Sequence, residues 1–129
     1  MNEGRARVLE MLKRELAFLD SGGYKRSMRC PWRAAYIFEE SPSCPNFSNP
    51  ARLHRCVDCW LMEFVAPALR TEQVPCRFIE LEANGVTVDS LYCCGTLAES
   101  EEALRNWLHA RIRELADQKH ETKNCGWLF

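Results

Sequence analysis

Residues 77–92 read Arg-Phe-Ile-Glu-Leu-Glu-Ala-Asn-Gly-Val-Thr-Val-Asp-Ser-Leu-Tyr. Two runs that alternate apolar and polar residues flank Asn84-Gly85, a pair whose backbone preferences suit a type I′ turn. The pattern predicts a β-hairpin over 75–94. With Ala83 opposite Val86, Leu81 meets Val88 and Ile79 meets Ser90 on an apolar face, while Glu80 faces Asp89 and Glu82 faces Thr87 on a solvated one. In the same register Cys76 falls opposite Cys93, a second candidate thiol pair of the closely spaced, non-hydrogen-bonded kind.

Helical periodicity surrounds this hairpin. Val8, Leu9, Leu12, Leu16 and Leu19 recur every three or four positions before Asp20-Ser21-Gly22-Gly23, which predicts an amphipathic helix over roughly 3–20. Asn49-Pro50 is a good helix start, and Leu53, Val57, Leu61, Phe64 and Val65 continue at helical spacing up to Pro67. Thr96-Leu97-Ala98-Glu99 reads as a capping box. It opens a helix expected over about 97–119, with Leu104, Leu108, Ile112 and Leu115 as the buried stripe. The expected fold class is therefore α+β, with about three helices packed on one face of the hairpin. A strand from the 34–38 region is a candidate addition.

The chain reads as one domain over 1–129: an N-terminal helix (1–23), a Cys-rich segment and helix (24–69), the hairpin (75–94), a C-terminal helix (96–119) and a tail (120–129). Its 129 residues carry 17 Lys and Arg against 18 Asp and Glu, a net charge of −1. That balance argues against a protein that coats nucleic acid, whose affinity comes from excess positive charge. No apolar stretch reaches the 18 or so residues of a membrane span. The amino terminus interleaves charge with apolar residues and does not read as a signal peptide, so a reducing, cytoplasmic setting is expected, with thiols free or metal-bound and not paired as structural disulfides.

The unusual feature is eight cysteines. Cys30, Cys44, Cys56 and Cys59 fall within 30 consecutive residues, spaced C-x13-C-x11-C-x2-C. Four thiolates suffice for a closed tetrahedral zinc site, the expected cofactor, or alternatively for an iron-sulfur cluster. On a helix, Cys56 and Cys59 at i and i+3 share one face and can point at one ion. Cys30 and Cys44 are each followed by Pro, which turns the chain without needing an amide donor. The competing reading treats buried cysteines as small apolar residues; it suits Cys56 on an apolar helix and fits the Cys-Pro pairs badly.

Cys56-x-x-Cys59 is also the spacing of a thiol-disulfide oxidoreductase, but that motif follows a strand in a parallel sheet and here follows helical residues. Lys25, Arg26, Arg29 and Arg33 form a candidate anion contact interleaved with Tyr24 and Trp32, against the plainer reading of a solvated loop. No serine elbow, phosphate-cradling glycine loop or His-Glu-x-x-His pair is present, so no catalytic residue is assigned. The expected function is a non-catalytic, metal-binding accessory or regulatory module with a protein partner or a second copy of itself. A nucleic-acid partner is less favoured and a membrane is not expected. The apolar tail Cys125-Gly126-Trp127-Leu128-Phe129 adds to the expectation of docking.

Overall fold

The computed structural model describes the backbone of residues 3–27, 30, 32–44 and 59–125, and side chains of residues 4–27, 30, 32–44 and 59–116. Among these residues the protein is helical: α1 (Glu3–Asp20), α2 (Val88–Cys94) and α3 (Leu97–Cys125) are joined by turns and by short 3-10 helices at Trp60–Phe64, Pro67–Leu69 and Pro75–Phe78. There is no strand and no sheet among them, so the expected α+β hairpin architecture is overturned. No helix among the described residues is long and apolar enough to cross a membrane.

α1 spans the expected 3–20 and α3 begins as expected, although it runs six residues further, to Cys125. The two helices pack against each other, and Leu12 and Leu19 of α1 lie almost completely buried in the same core cluster as Leu104 and Leu108 of α3. At the surface Arg105 bonds Asp20 at 3.1 Å and Lys25 reaches Glu101 at 3.4 Å, which sets the end of α1 beside the first turns of α3. Both helix boundaries follow from local chemistry. Gly22, at φ +84°, takes the left-handed position after α1, while Gly22 and Gly23 amides donate to the carbonyls of Leu19 and Phe18. At α3 the Glu99 amide donates to Thr96 Oγ1 at 3.1 Å and the Thr96 amide to Glu99 Oε1 at 2.8 Å, the capping box read from the sequence. That bonding, backbone amide first, lowers the Glu99 carboxyl from its ordinary range.

The departure lies at the hairpin. Asn84-Gly85 does reverse the chain, but a type I′ turn needs positive φ at both central residues, and here Gly85 alone has it, at +88°. The turn is instead Glu82 to Gly85, closed by the Gly85 amide on the Glu82 carbonyl at 3.1 Å, with the amides of Leu81 and Glu82 both donating to the Val86 carbonyl. This shifts the register by two, so that Glu80 faces Thr87 in an isolated antiparallel bridge and pairing stops there. Ile79 and Leu81 still point into the core, as the alternation implied.

Beyond Thr87 the chain becomes α2 because Thr87 caps it. Its hydroxyl accepts the Ser90 amide at 3.1 Å, and Ser90 Oγ accepts the Thr87 amide at 2.8 Å, so two helix-end donors are satisfied reciprocally. Val88 and Leu91, at i and i+3, then share the buried face. Replacing Thr87 by alanine is expected to cost about 1 kcal/mol of stability. Urea unfolding measures this, and an unchanged midpoint would show that the box does not hold α2.

The core between these helices is filled by the connecting segments. Phe38, Ile37, Leu61, Met62, Val65, Ile79 and Leu81 join the helical residues in one cluster. Phe38 takes a left-handed conformation, φ 66°, uncommon for an aromatic residue. Its amide donates to Tyr24 Oη at 3.2 Å and its ring packs edge-on to Trp107 at 5.9 Å, contacts that offset the backbone strain. The 34–38 region forms turns and not the candidate strand. Of the second expected helix, residues 49–58 lie outside the described residues, and 60–64 is a 3-10 turn.

Candidate functional site

Cys30 sits on a tight loop. The Ser27 amide donates to the Arg33 carbonyl at 2.9 Å, the Arg33 amide to the Cys30 carbonyl at 3.0 Å, and the Cys30 amide to Ser27 Oγ at 3.1 Å. Trp32 stands on this loop with 82% of its surface exposed. Cys44 ends a second turn, its amide donating to the Ser41 carbonyl at 3.0 Å. Cys59 precedes the 3-10 turn Trp60–Phe64 in extended conformation and packs against the core. All three are half-buried. Cys56, the remaining proposed ligand, lies outside the described residues. Among the described residues no three His, Cys, Asp or Glu side chains are grouped so as to hold a metal ion. Cys30, Cys44 and Cys59 therefore do not converge by themselves.

Two of the four cations of the candidate anion contact pair with the protein's own carboxylates. Arg33 donates to Glu40 at 2.6 Å and 3.4 Å, and Lys25 reaches Glu101. Arg26 is exposed, and Arg29 lies outside the described residues. Glu40 also accepts from Ser27 Oγ at 2.6 Å and from the Tyr36 amide at 2.7 Å. Burial alone would raise its pKa, but the bonds from Arg33, Ser27 and Tyr36 prevail and lower it. A part-buried carboxylate with three donors thus organises the loop.

Next to this hub is a group that the sequence did not indicate. The Tyr36 and Tyr92 rings meet at 4.7 Å, tilted at 42°, the Arg33 guanidinium lies 3.9 Å from the Tyr36 ring, and Arg77 lies 5.8 Å and 6.0 Å from the two rings. Arg77 makes a two-pronged pair with Glu39 at 2.8 Å and 3.0 Å, which raises its pKa. Tyr92 donates to the Ile37 carbonyl at 2.9 Å. Burial, then the neighbouring Glu39 charge, pushes its phenol well above the ordinary range. Spacing could not have revealed this set, because its members come from three separate segments. Tyr36, Arg77, Asp89, Tyr92 and Cys93 line an open recess of about 350 Å³ on this side of the molecule.

The expected Cys76–Cys93 apposition has no strands to rest on. Cys76 belongs to the half-buried 3-10 turn Pro75–Phe78, and Cys93 lies exposed at the end of α2. The turn Pro75–Phe78 nonetheless packs against α2, and at the end of α2 the Cys94 thiol donates to the Cys93 sulfur across 2.9 Å. His109 is exposed on α3, and His54 lies outside the described residues.

Comparison with known protein families, with characterised proteins and with solved structures finds no match. Functional assignment therefore rests on the chemistry of these groups alone.

Proposed function

We propose that this chain is a small metal-binding accessory or regulatory module in which Cys30, Cys44, Cys56 and Cys59 hold one zinc ion and an adjacent surface receives a protein partner. The observation that carries the reading is the setting of Cys30 and Cys44, which stand half-buried on turns and outside the core cluster. A thiol serving as a small apolar residue belongs inside that cluster. Binding would draw the two turns and the start of Trp60–Phe64 together, so that metal affinity and local folding are one equilibrium. Trp32, exposed on the Cys30 loop, supplies the aromatic anchor typical of protein interfaces. A cytoplasmic location goes with this reading, because four zinc-binding thiolates need a reducing setting.

The test is the metal content of the full chain purified anaerobically, alongside Cys44→Ser. About one zinc per wild-type chain, lost in Cys44→Ser together with part of the thermal stability, is the expected result. Iron and sulfide with broad visible absorption would replace zinc by a cluster on the same ligands. Metal-free protein with a reversible Cys56–Cys59 disulfide would overturn the reading in favour of thiol-disulfide exchange. Unchanged metal content in Cys44→Ser would overturn the ligand set.

A further inference from the structure

Cys93 and Cys94 are the last two residues of α2, and both are exposed. On an extended strand their side chains would point to opposite faces. In the last helical turn they are instead about 100° apart around the axis. Their side chains then close the gap to a sulfur–sulfur distance of 2.9 Å, with the Cys94 S–H directed at Cys93. Two thiols on adjacent residues, both open to water and already facing each other, form a chelating pair.

Two thiols at this separation can be bridged by one soft centre: a pyramidal ion with bonds of about 2.3 Å at near-right angles holds its sulfurs about 3.3 Å apart, which a small rotation of either side chain supplies. No third His, Cys, Asp or Glu joins the pair among the described residues, and a trivalent centre that brings its own third substituent is satisfied by the two sulfurs alone. Space for that substituent adjoins Cys93: the recess of about 350 Å³ walled by Tyr36, Tyr92, Arg77 and Asp89. The Tyr36 and Tyr92 rings, 4.7 Å apart and tilted at 42°, offer aromatic surface to such a substituent, with Arg77 and Asp89 as polar neighbours.

We infer that Cys93 and Cys94 form an exposed vicinal dithiol site that captures a thiophilic trivalent metalloid, an organoarsenical in particular, through both sulfurs. The reaction is a condensation. Each thiol loses its proton, two sulfur–arsenic bonds form, and the arsenoxide oxygen leaves with both protons as one water. Arsenic stays trivalent and no oxidant is consumed. The adduct owes its durability to chelation, since a sulfur that dissociates is held next to the arsenic by its neighbour.

Phenylarsine oxide is the probe, applied to the full-length, zinc-treated protein, so that thiols of the proposed zinc site are occupied. One phenylarsenic group per chain is expected, mapping to the peptide with Cys93 and Cys94, resisting excess monothiol and removed by a dithiol. Cys93→Ser and Cys94→Ser, both at exposed positions, should each lose the monothiol-resistant adduct while keeping the wild-type circular dichroism spectrum. Retention of that adduct in either variant, or its absence from wild type, would overturn the inference. An adduct mapping to Cys56 and Cys59 alone would overturn it as well and would count separately against zinc at the four-cysteine site.

Discussion

Replacing Trp107 by alanine should lower the free energy of unfolding by about 3–5 kcal/mol. Trp107 is 5% exposed on α3 and meets Phe64 at 5.1 Å and Phe38 at 5.9 Å, both edge-on. Those contacts join three parts of the chain that have no sheet to unite them: the turn that carries Phe38, the 3-10 turn Trp60–Phe64, and α3. Aromatic pairs in this geometry add about 0.5–1.5 kcal/mol each beyond the area they bury. The void left by alanine would also uncover Phe38 in its unfavourable backbone conformation. For a domain whose total stability is about 5–15 kcal/mol, the loss is a large fraction of the whole. Urea unfolding followed by circular dichroism measures it, with Trp107→Phe expected to retain most of the stability. A loss below about 1 kcal/mol in Trp107→Ala would mean that the ring is peripheral.

The helical part of the fold was legible because it depends on repeated local signals. The stripe Leu104, Leu108, Ile112 and Leu115 packs in the core or against it, and α1 starts and stops where its periodicity and glycines indicate. Residues 77–92 carried two signals of comparable strength that point to different structures. Alternation through Ile79, Leu81, Val86 and Val88 favours strands, whereas Thr87-x-x-Ser90 with Val88 and Leu91 at i and i+3 favours a helix start. A two-stranded hairpin is only marginally stable without a third strand or a broad apolar face to cover it. A capped turn of helix satisfies its own backbone and buries Val88 and Leu91 at once, so the helix prevails on the second half while the first half keeps its inward Ile79 and Leu81.

The sites were legible to different degrees for a related reason. The cysteines stand out by residue type, yet type does not reveal partners: the Cys94 thiol meets Cys93 because this part of the chain is the end of a helix and not a strand, on which adjacent side chains would point to opposite faces. The Tyr36–Tyr92 ring pair with its two arginines is assembled from positions far apart in sequence and leaves no periodic trace. The basic cluster was visible as charge, but whether it serves an external anion depended on Glu40 and Glu101.

Glu15 carries the second large expected effect. It lies on the same stripe as Val8, Leu12 and Leu19, at spacings of four, three and four, and is fully buried there. Its carboxyl accepts hydrogen bonds from the hydroxyls of Ser41, Ser43 and Tyr24, which fasten α1 to the turn that follows Phe38. Glu15→Ala would leave two buried hydroxyls, of Tyr24 and Ser41, and the half-buried Ser43 hydroxyl without this acceptor and open a cavity, at a cost of about 3 kcal/mol or more. Burial raises the Glu15 pKa above its ordinary value near 4.5, and the three hydroxyl bonds only partly oppose that. In the window between the ordinary and the raised value, the folded chain therefore holds a proton that the unfolded chain has released. The contribution of this group to stability is then greatest below the ordinary value and declines as pH rises through the window. Glu40, with its pKa lowered, has the opposite sign, adding stability above its ordinary range and losing it as pH falls. The two are separated by difference. Glu15→Gln keeps the shape and an oxygen acceptor but cannot titrate, so its unfolding free energy relative to wild type should rise with pH across the window and level off above it. A difference that stays flat with pH would show that Glu15 does not exchange its proton on folding and that its hydroxyl bonds fully offset its burial.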